Sequence, residues 1–430
     1  MHALAGLVVA ATALLGQTLA RPLVAQPGDI DDLWITDKNT INGTIPTNMV
    51  TQSNPLKFSL HNNWGGANMV AYVTGRDSND QVVMLTRSGQ FYYPDPAGSE
   101  IPVDLPSSAD VAIPLGGKGA TTDFTVPDFI SSGRVWVSDG ELSFYTVLAG
   151  DGRVALVEPS FANPADPSAD LNWGFVELTN NAGGIYANIS FVDFIGLVIS
   201  MRLTLGSGDV QTVKGLEPGA LQGICDDLTT QASRDGQPWD EMCVKRSDGT
   251  PLRILAPNIY VASNPGSMDS YYYPYIDQVW EKYSNEDLII DTQGEWGQVA
   301  CRVQDFGDMI CEGDSIPFVK PTIVDVWGCN SGPFANHGDG IHKAIVARMC
   351  AAFHRTELLL DGGNVTPSLG SSFYYTEDPT SHYSRLVHEY EVDGKGYAFS
   401  YDDVNVHGEN EAGVVAGPNP ELLELFIGGM

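Results

Sequence analysis

Two carboxylates stand in apolar company near the middle of the chain. Glu177 lies between Val176 and Leu178, and Asp193 lies between Val192 and Phe194, within residues 173–202, WGFVELTNNAGGIYANISFVDFIGLVISMR. An acid in an apolar strand gives up hydration that its neighbours do not restore, which makes each a candidate for proton-transfer chemistry. Inverting glycoside hydrolysis uses such a pair, about 6.5–9.5 Å apart, one to protonate the leaving oxygen and one to take a proton from the attacking water. Spacing alone favours a plainer explanation, two exposed acids on a half-solvated sheet.

The elements that must position the pair read as a β-hairpin. Trp173 to Asn181 is rich in β-branched and aromatic residues, Ala182-Gly183-Gly184 is a turn signal, and a second apolar run extends from about Tyr186 to Arg202. With a two-residue Gly183-Gly184 turn, Glu177 opposes Ser190 and Asp193 points to the other face. With a three-residue loop centred on Gly184, Glu177 opposes Phe191 and Asp193 shares its face, with Cα atoms roughly 8 Å apart. The three-residue loop is the expectation adopted, for the chemistry it permits. It also sets Thr179 and Asn181 on the face of Glu177 as a polar row suited to sugar hydroxyls.

The ELTNN segment, the Gly-rich turn, an aromatic and FVDFIGL together resemble the central motif of glycoside hydrolase family 64, the endo-β-1,3-glucanases. VARMCAAFHRTELL (346–359) and YAFSYDDV (397–404) extend the likeness, in order, over residues from about 55 to 405. The family is related to thaumatin-like proteins. The resemblance implies Glu177 as general acid, kept protonated by a partly apolar setting, and Asp193 as general base. It implies Thr179, Asn181 and Tyr186 as sugar-subsite residues, with Tyr186 where an aromatic, often Trp, is expected. Of the adjacent Asp402 and Asp403, which face opposite ways in a strand, Asp402 is the one expected at the groove. The activity implied is a secreted endo-β-1,3-glucan hydrolase with inversion, without cofactor, acting as a monomer on glucan. A non-catalytic thaumatin-like β-glucan-binding or defence protein is the alternative; an acid buried in an ion pair would favour it.

The rest of the chain reads as mainly β with an inserted α/β region. Short strands separated by Gly, Pro, Asn and Asp fill residues 56–215 and suggest a β-sandwich or barrel, thaumatin-like by the resemblance. Residues 216–384 read as an inserted α/β domain, with helices starting near Pro218, around 274–284 and, most clearly, at 340–359. By the resemblance, 385–410 returns as a closing strand, 411–430 is a tail, and the two domains form a wide groove. Trp64 is a candidate for sugar stacking or for the core rim, and the tyrosines at 271–273 and 275 favour the core.

Composition sets the outer bounds. There are 54 acids against 22 bases, a net charge of −32, which argues against nucleic acid and anionic membrane partners and suits a neutral polysaccharide. Residues 4–20 read as a secretory leader cleaved after Ala20 or near Ala25, and 21–55 as an extended arm. Six cysteines without a CxxC read as three disulfides, with sequential pairing 225–243, 301–311 and 329–350 expected. Asn42, Asn188 and Asn364 head glycosylation sequons, and a glycan on Asn188 is expected to point away from the groove. His337, His342 and His354 lack metal-site spacing, and no G-x-S-x-G or phosphate loop is present.

Overall fold

The computed structural model describes residues 55–66, 68–335, 337–406 and 409–430. The leader, the arm up to Asn54 and the Asn42 sequon lie outside them. Among the described residues, no helix is long and apolar enough to cross a membrane.

Two sheets face each other. One has the strand order Val210–Val213, Ile199–Leu205, Pro420–Ile427, Leu56–Asn62, Thr121–Val126. The other runs Val415–Gly417, Gly184–Ile189, Trp173–Asn181, Ile130–Asp139, Met69–Arg76, Val82–Leu85, Phe91–Tyr92. Alternation supplies the core between them: Phe58, Leu60, Leu203, Leu423 and Leu425 from the first sheet meet Val73, Val135, Val137, Val176, Leu178 and Ala187 from the second. The opposite face of the second sheet is also covered. There Tyr72, Trp136, Trp173 and Phe175 pack with Phe144 and Phe194 in a separate aromatic cluster. Glu177 has the parity of Trp173 and Phe175, so it extends this aromatic face and not the sandwich core.

Helices Ala220–Asp235, Asp269–Asn285 and Gly340–His354, with a small sheet of Met309–Cys311, Gln298–Val303, Leu288–Asp291 and Val365–Thr366, make up the more helical part. The second helix starts earlier than expected and runs through Pro274, because Tyr272, Tyr275 and Ile276 bury one face of it. The tyrosine cluster is thus largely core. Disulfides join Cys225–Cys243, Cys301–Cys311 and Cys329–Cys350, the sequential pairing.

The expected return strand is corrected. Residues 397–404 curl into turns, and the Asp402 carboxylate fixes the curl by accepting the Ala398 N–H at 2.8 Å. The chain re-enters the sandwich later, within the expected tail. Pro420–Ile427 lies in the middle of the first sheet, parallel to Leu56–Asn62 and antiparallel to Ile199–Leu205. Its alternation explains why: Leu423, Leu425 and Ile427 point inward, while Glu424 points out to Arg202 and His61.

Candidate active site

The hairpin forms, in a register neither expectation anticipated. Asn181 pairs with Gly184, so the turn is Ala182-Gly183 and Glu177 opposes Asn188. Asn181 Oδ1 accepts the Gly183 N–H at 2.8 Å and sets this turn. Gly184 is needed for a different reason. It begins the second strand at φ +134°, and a Cβ there would lie 2.3 Å from the Gly417 carbonyl oxygen on the neighbouring strand.

Asp193 reaches the site by leaving the hairpin, not by strand parity. The strand ends at Ile189, Ser190 bridges to Tyr397, and Phe194–Ile195 joins a different sheet beside Pro251–Leu255. The segment between is pinned at several points. Phe191 N–H donates to the Tyr397 carbonyl at 2.7 Å, Tyr383 hydroxyl donates to the Phe191 carbonyl, and Ala256 N–H donates to the Asp193 carbonyl at 2.9 Å.

Across three strands lies a polar row, Arg134–Glu177–Asn188. Arg134 Nε and Nη2 donate to Glu177 Oε1 at 3.2 and 3.1 Å, and Nη1 donates to Glu158 at 2.7 Å. Its guanidinium carbon sits 4.7 Å from the Phe175 ring centroid, a cation–π contact that fixes its plane. Asn188 Nδ2 donates to Glu177 Oε2 at 3.4 Å. Glu177 and Asp193 are each only 4% exposed. Burial pushes the Asp193 carboxyl up to about 7, with Arg134 opposing the rise and Glu177 and Glu158 adding to it. Its Oδ1 is buried and has no hydrogen-bond partner among the described residues. Glu177 is therefore an acid buried in an ion pair, and the apolar setting expected to keep it protonated contains a guanidinium.

The other expected residues divide. Tyr186 joins the site: its hydroxyl meets that of Tyr397 at 2.6 Å, and burial, then Asp403 and Glu177, hold it above its ordinary value. Thr179 keeps the face of Glu177, with its hydroxyl accepting the Ser132 N–H at 3.4 Å, while Asn181 Oδ1 serves the turn. Asp402 is not at a groove. It is 0% exposed and bound to Arg355 at 3.0 Å and to His388 Nε2 at 2.9 Å. Those partners hold it down at about 2 against burial, which acts the other way. Asp403, the neighbour passed over, acts more strongly than any other acid on Tyr186 and Tyr397, and burial raises it to about 6.

Asn188 is corrected as well. It is fully buried beside Glu177, so its side chain does not point outward for a glycan; Asn364 is exposed. The three histidines have local partners: His337 with the Ala335 carbonyl, His342 with Asp314 and His354 with Ser384. Trp64 is 44% exposed. Sequence reasoning missed Arg134, Glu158 and Tyr397. Arg134 carried a usable signal, a lone charge before Val135-Trp136-Val137, the same kind that singled out Glu177.

Known proteins share this chain's pattern. The Glyco_hydro_64 family model, described as Beta-1,3-glucanase, matches residues 54–427. A glucan endo-1,3-beta-glucosidase of Cellulosimicrobium cellulans is 30% identical over 285 residues, 64% of this chain and 49% of that protein. The protein of that name from Arthrobacter sp. (strain YCWD3) is 29% identical over the same shares. The chain thus spans about half the length of the curated relatives it matches. Among solved structures, a laminaripentaose-producing beta-1,3-glucanase in complex with laminaritetraose is similar at a TM-score of 0.75 and 29% identity, over 88% of this chain and 99% of that one. A beta-1,3-glucanase domain (GH64) from Clostridium beijerinckii, at 0.68 and 19% over 87% and 98%, supports the fold alone.

Proposed function

The chain belongs to the Glyco_hydro_64 beta-1,3-glucanase family, and from that premise we propose that it is a secreted endo-β-1,3-glucan hydrolase acting with inversion through Glu177 and Asp193. One observation carries the choice of residues. Asp193 is buried with an oxygen that has no hydrogen-bond partner among the described residues, directly in the field of Glu177 and Arg134. An enclosed acid of this kind costs a fold stability, and beside a second acid on a shared guanidinium it is suited to moving a proton.

In the reaction proposed, one carboxyl protonates the leaving glycosidic oxygen while the other, as carboxylate, takes a proton from water attacking the anomeric carbon on the opposite face. Thr179 and Tyr186 bind sugar hydroxyls. The glucan lies in a wide groove between the thaumatin-like β-sandwich and the α/β region. The resemblance gives Glu177 the acid's part and Asp193 the base's part. The burial that pushes the Asp193 carboxyl up to about 7 favours a second assignment, with the proton on Asp193 and Glu177 as base. The burial of Glu177 in an ion pair is also what a non-catalytic glucan binder would show, and the unserved Asp193 oxygen weighs against that binder.

The test is release of soluble sugar from linear β-1,3-glucan by wild type, Glu177→Gln and Asp193→Asn, with the product anomer followed by NMR. Loss of most of the rate in both variants, with glucan binding kept and an α-anomer formed first by wild type, supports the pair. Binding without cutting by wild type makes the protein a binder. An aryl β-1,3-gluco-oligosaccharide, whose leaving group needs no acid, then separates the two assignments: the variant that still cleaves it lacks the acid.

A further inference from the structure

Arg134 is shared unequally. Its shortest ion pair, 2.7 Å, goes to Glu158, which follows the Val154–Val157 strand; the contact with Glu177 is longer, 3.1 Å. The Glu158 side chain is 31% exposed, that of Glu177 only 5%. Glu158 thus meets solvent on one side and the guanidinium on the other, while Glu177 and Asp193 are enclosed.

We infer that Glu158 is a positioning residue: by holding the Nη1 end of Arg134 it draws the guanidinium's charge away from the enclosed Glu177 and Asp193. The inference rests on the hydrolase reading for its purpose, though not for its electrostatics. One cation facing two enclosed carboxyls alone would favour ionisation of both, and an acid–base pair with no proton has no acid. A third carboxylate on the same cation offsets that pull. Phe175 and Trp136 under the guanidinium keep it from swinging wholly to either side. Among the described residues, the other titratable groups facing the pair are hydroxyls: Tyr383 from the His382–Tyr390 helix, beside Asp193 and Glu391, and Tyr186, beside Glu177 and Asp403. Burial holds both above the ordinary tyrosine range, so neither titrates in the working window.

The experiment compares wild type, Glu158→Gln and Glu158→Asp by two readouts. The first is ¹³C NMR titration of aspartate carboxyls, with the Asp193 signal assigned through Asp193→Asn. The second is the pH dependence of kcat/KM on linear β-1,3-glucan. In Glu158→Gln the Asp193 titration is expected to fall by about half to one pH unit, and both limbs of the rate profile should move to lower pH with it. Glu158→Asp, which keeps the charge, should stay near wild type. An Asp193 titration that is the same in Glu158→Gln and wild type overturns the inference. So does a rate lost by one factor at every pH, which would make Glu158 only a brace. If wild type never cuts glucan, the hydrolase reading falls by itself, and the NMR titration still decides what Glu158 does to the pair.

Discussion

Asp193 and Asp402 are both buried aspartates close to an arginine, and their surroundings push them in opposite directions. Asp402 receives the Ala398 N–H, His388 and Arg355, and is held down at about 2. Asp193 shares one guanidinium with Glu177 and Glu158, has a buried oxygen without a partner among the described residues, and is pushed up to about 7. Enclosure is the same in the two places; the number of donors per oxygen differs. A carboxylate served on all sides ties the 397–404 turns to Arg355, just past the end of the Gly340–His354 helix, and to His388. A carboxyl left partly unserved is destabilising and chemically poised.

The comparison breaks if the two residues respond alike to removal of charge. The largest effect should be on rate: Glu177→Gln and Asp193→Asn should each lower kcat/KM on linear β-1,3-glucan by about 10²–10⁴-fold, while Asp402→Asn acts mainly through stability. Next, Asp402→Asn leaves Arg355 and His388 short of an anion and should lose about 3–5 kcal/mol in denaturant unfolding. Asp193→Asn should unfold no more easily than wild type at pH 7.

The pH dependence sharpens the contrast. Asp193 is raised in the folded state, so its contribution to stability is full below about pH 4 and is lost as pH rises towards 7. Asp402 is lowered, so its contribution is full above about pH 4 and is lost as pH falls through about 2. Unfolding measured from pH 4 to 7 should therefore show Asp193→Asn gaining on wild type as pH rises, by on the order of 1–3 kcal/mol. The smallest effect is expected at the junction. Tyr397 links the hairpin to the 397–404 turns, and Tyr397→Phe removes a hydroxyl from Tyr186. It should cost about 1 kcal/mol, seen as a several-fold rise in KM with kcat little changed.

Local sequence carried the strand Trp173–Asn181, the disulfide partners and the long helices, because each depends on nearby residue types. The register of the hairpin was hidden. A three-residue loop centred on Gly184 is the expectation, yet Asn181 places the turn at Ala182-Gly183, and Gly184 answers to a strand more than two hundred residues later in the chain. The pairing of Asp193 with its site was hidden for the same reason, since a change of sheet after Ser190 leaves no periodic trace. Asp402 and Asp403 are adjacent and identical in type, and only the tertiary donors tell which one is tied up. YAFSYDDV is expected in a strand by the resemblance alone, and the Asp402 cap on Ala398 turns it into a curl.

The placement of Pro420–Ile427 has a consequence for how the molecule is made. It sits between the first strand of the sandwich and Ile199–Leu205, and His61 meets Glu424 across 363 residues of chain. Pairing at that separation is slow to form, and until it does the two flanking strands have open edges facing one another. During synthesis the sandwich is therefore expected to wait, incomplete, until these residues have left the ribosome, with the helical region already able to collapse on its disulfides. A nascent chain stalled just before Pro420 should be cut readily by protease in the β-sandwich, and release of the last strand should make that half resistant in a single step.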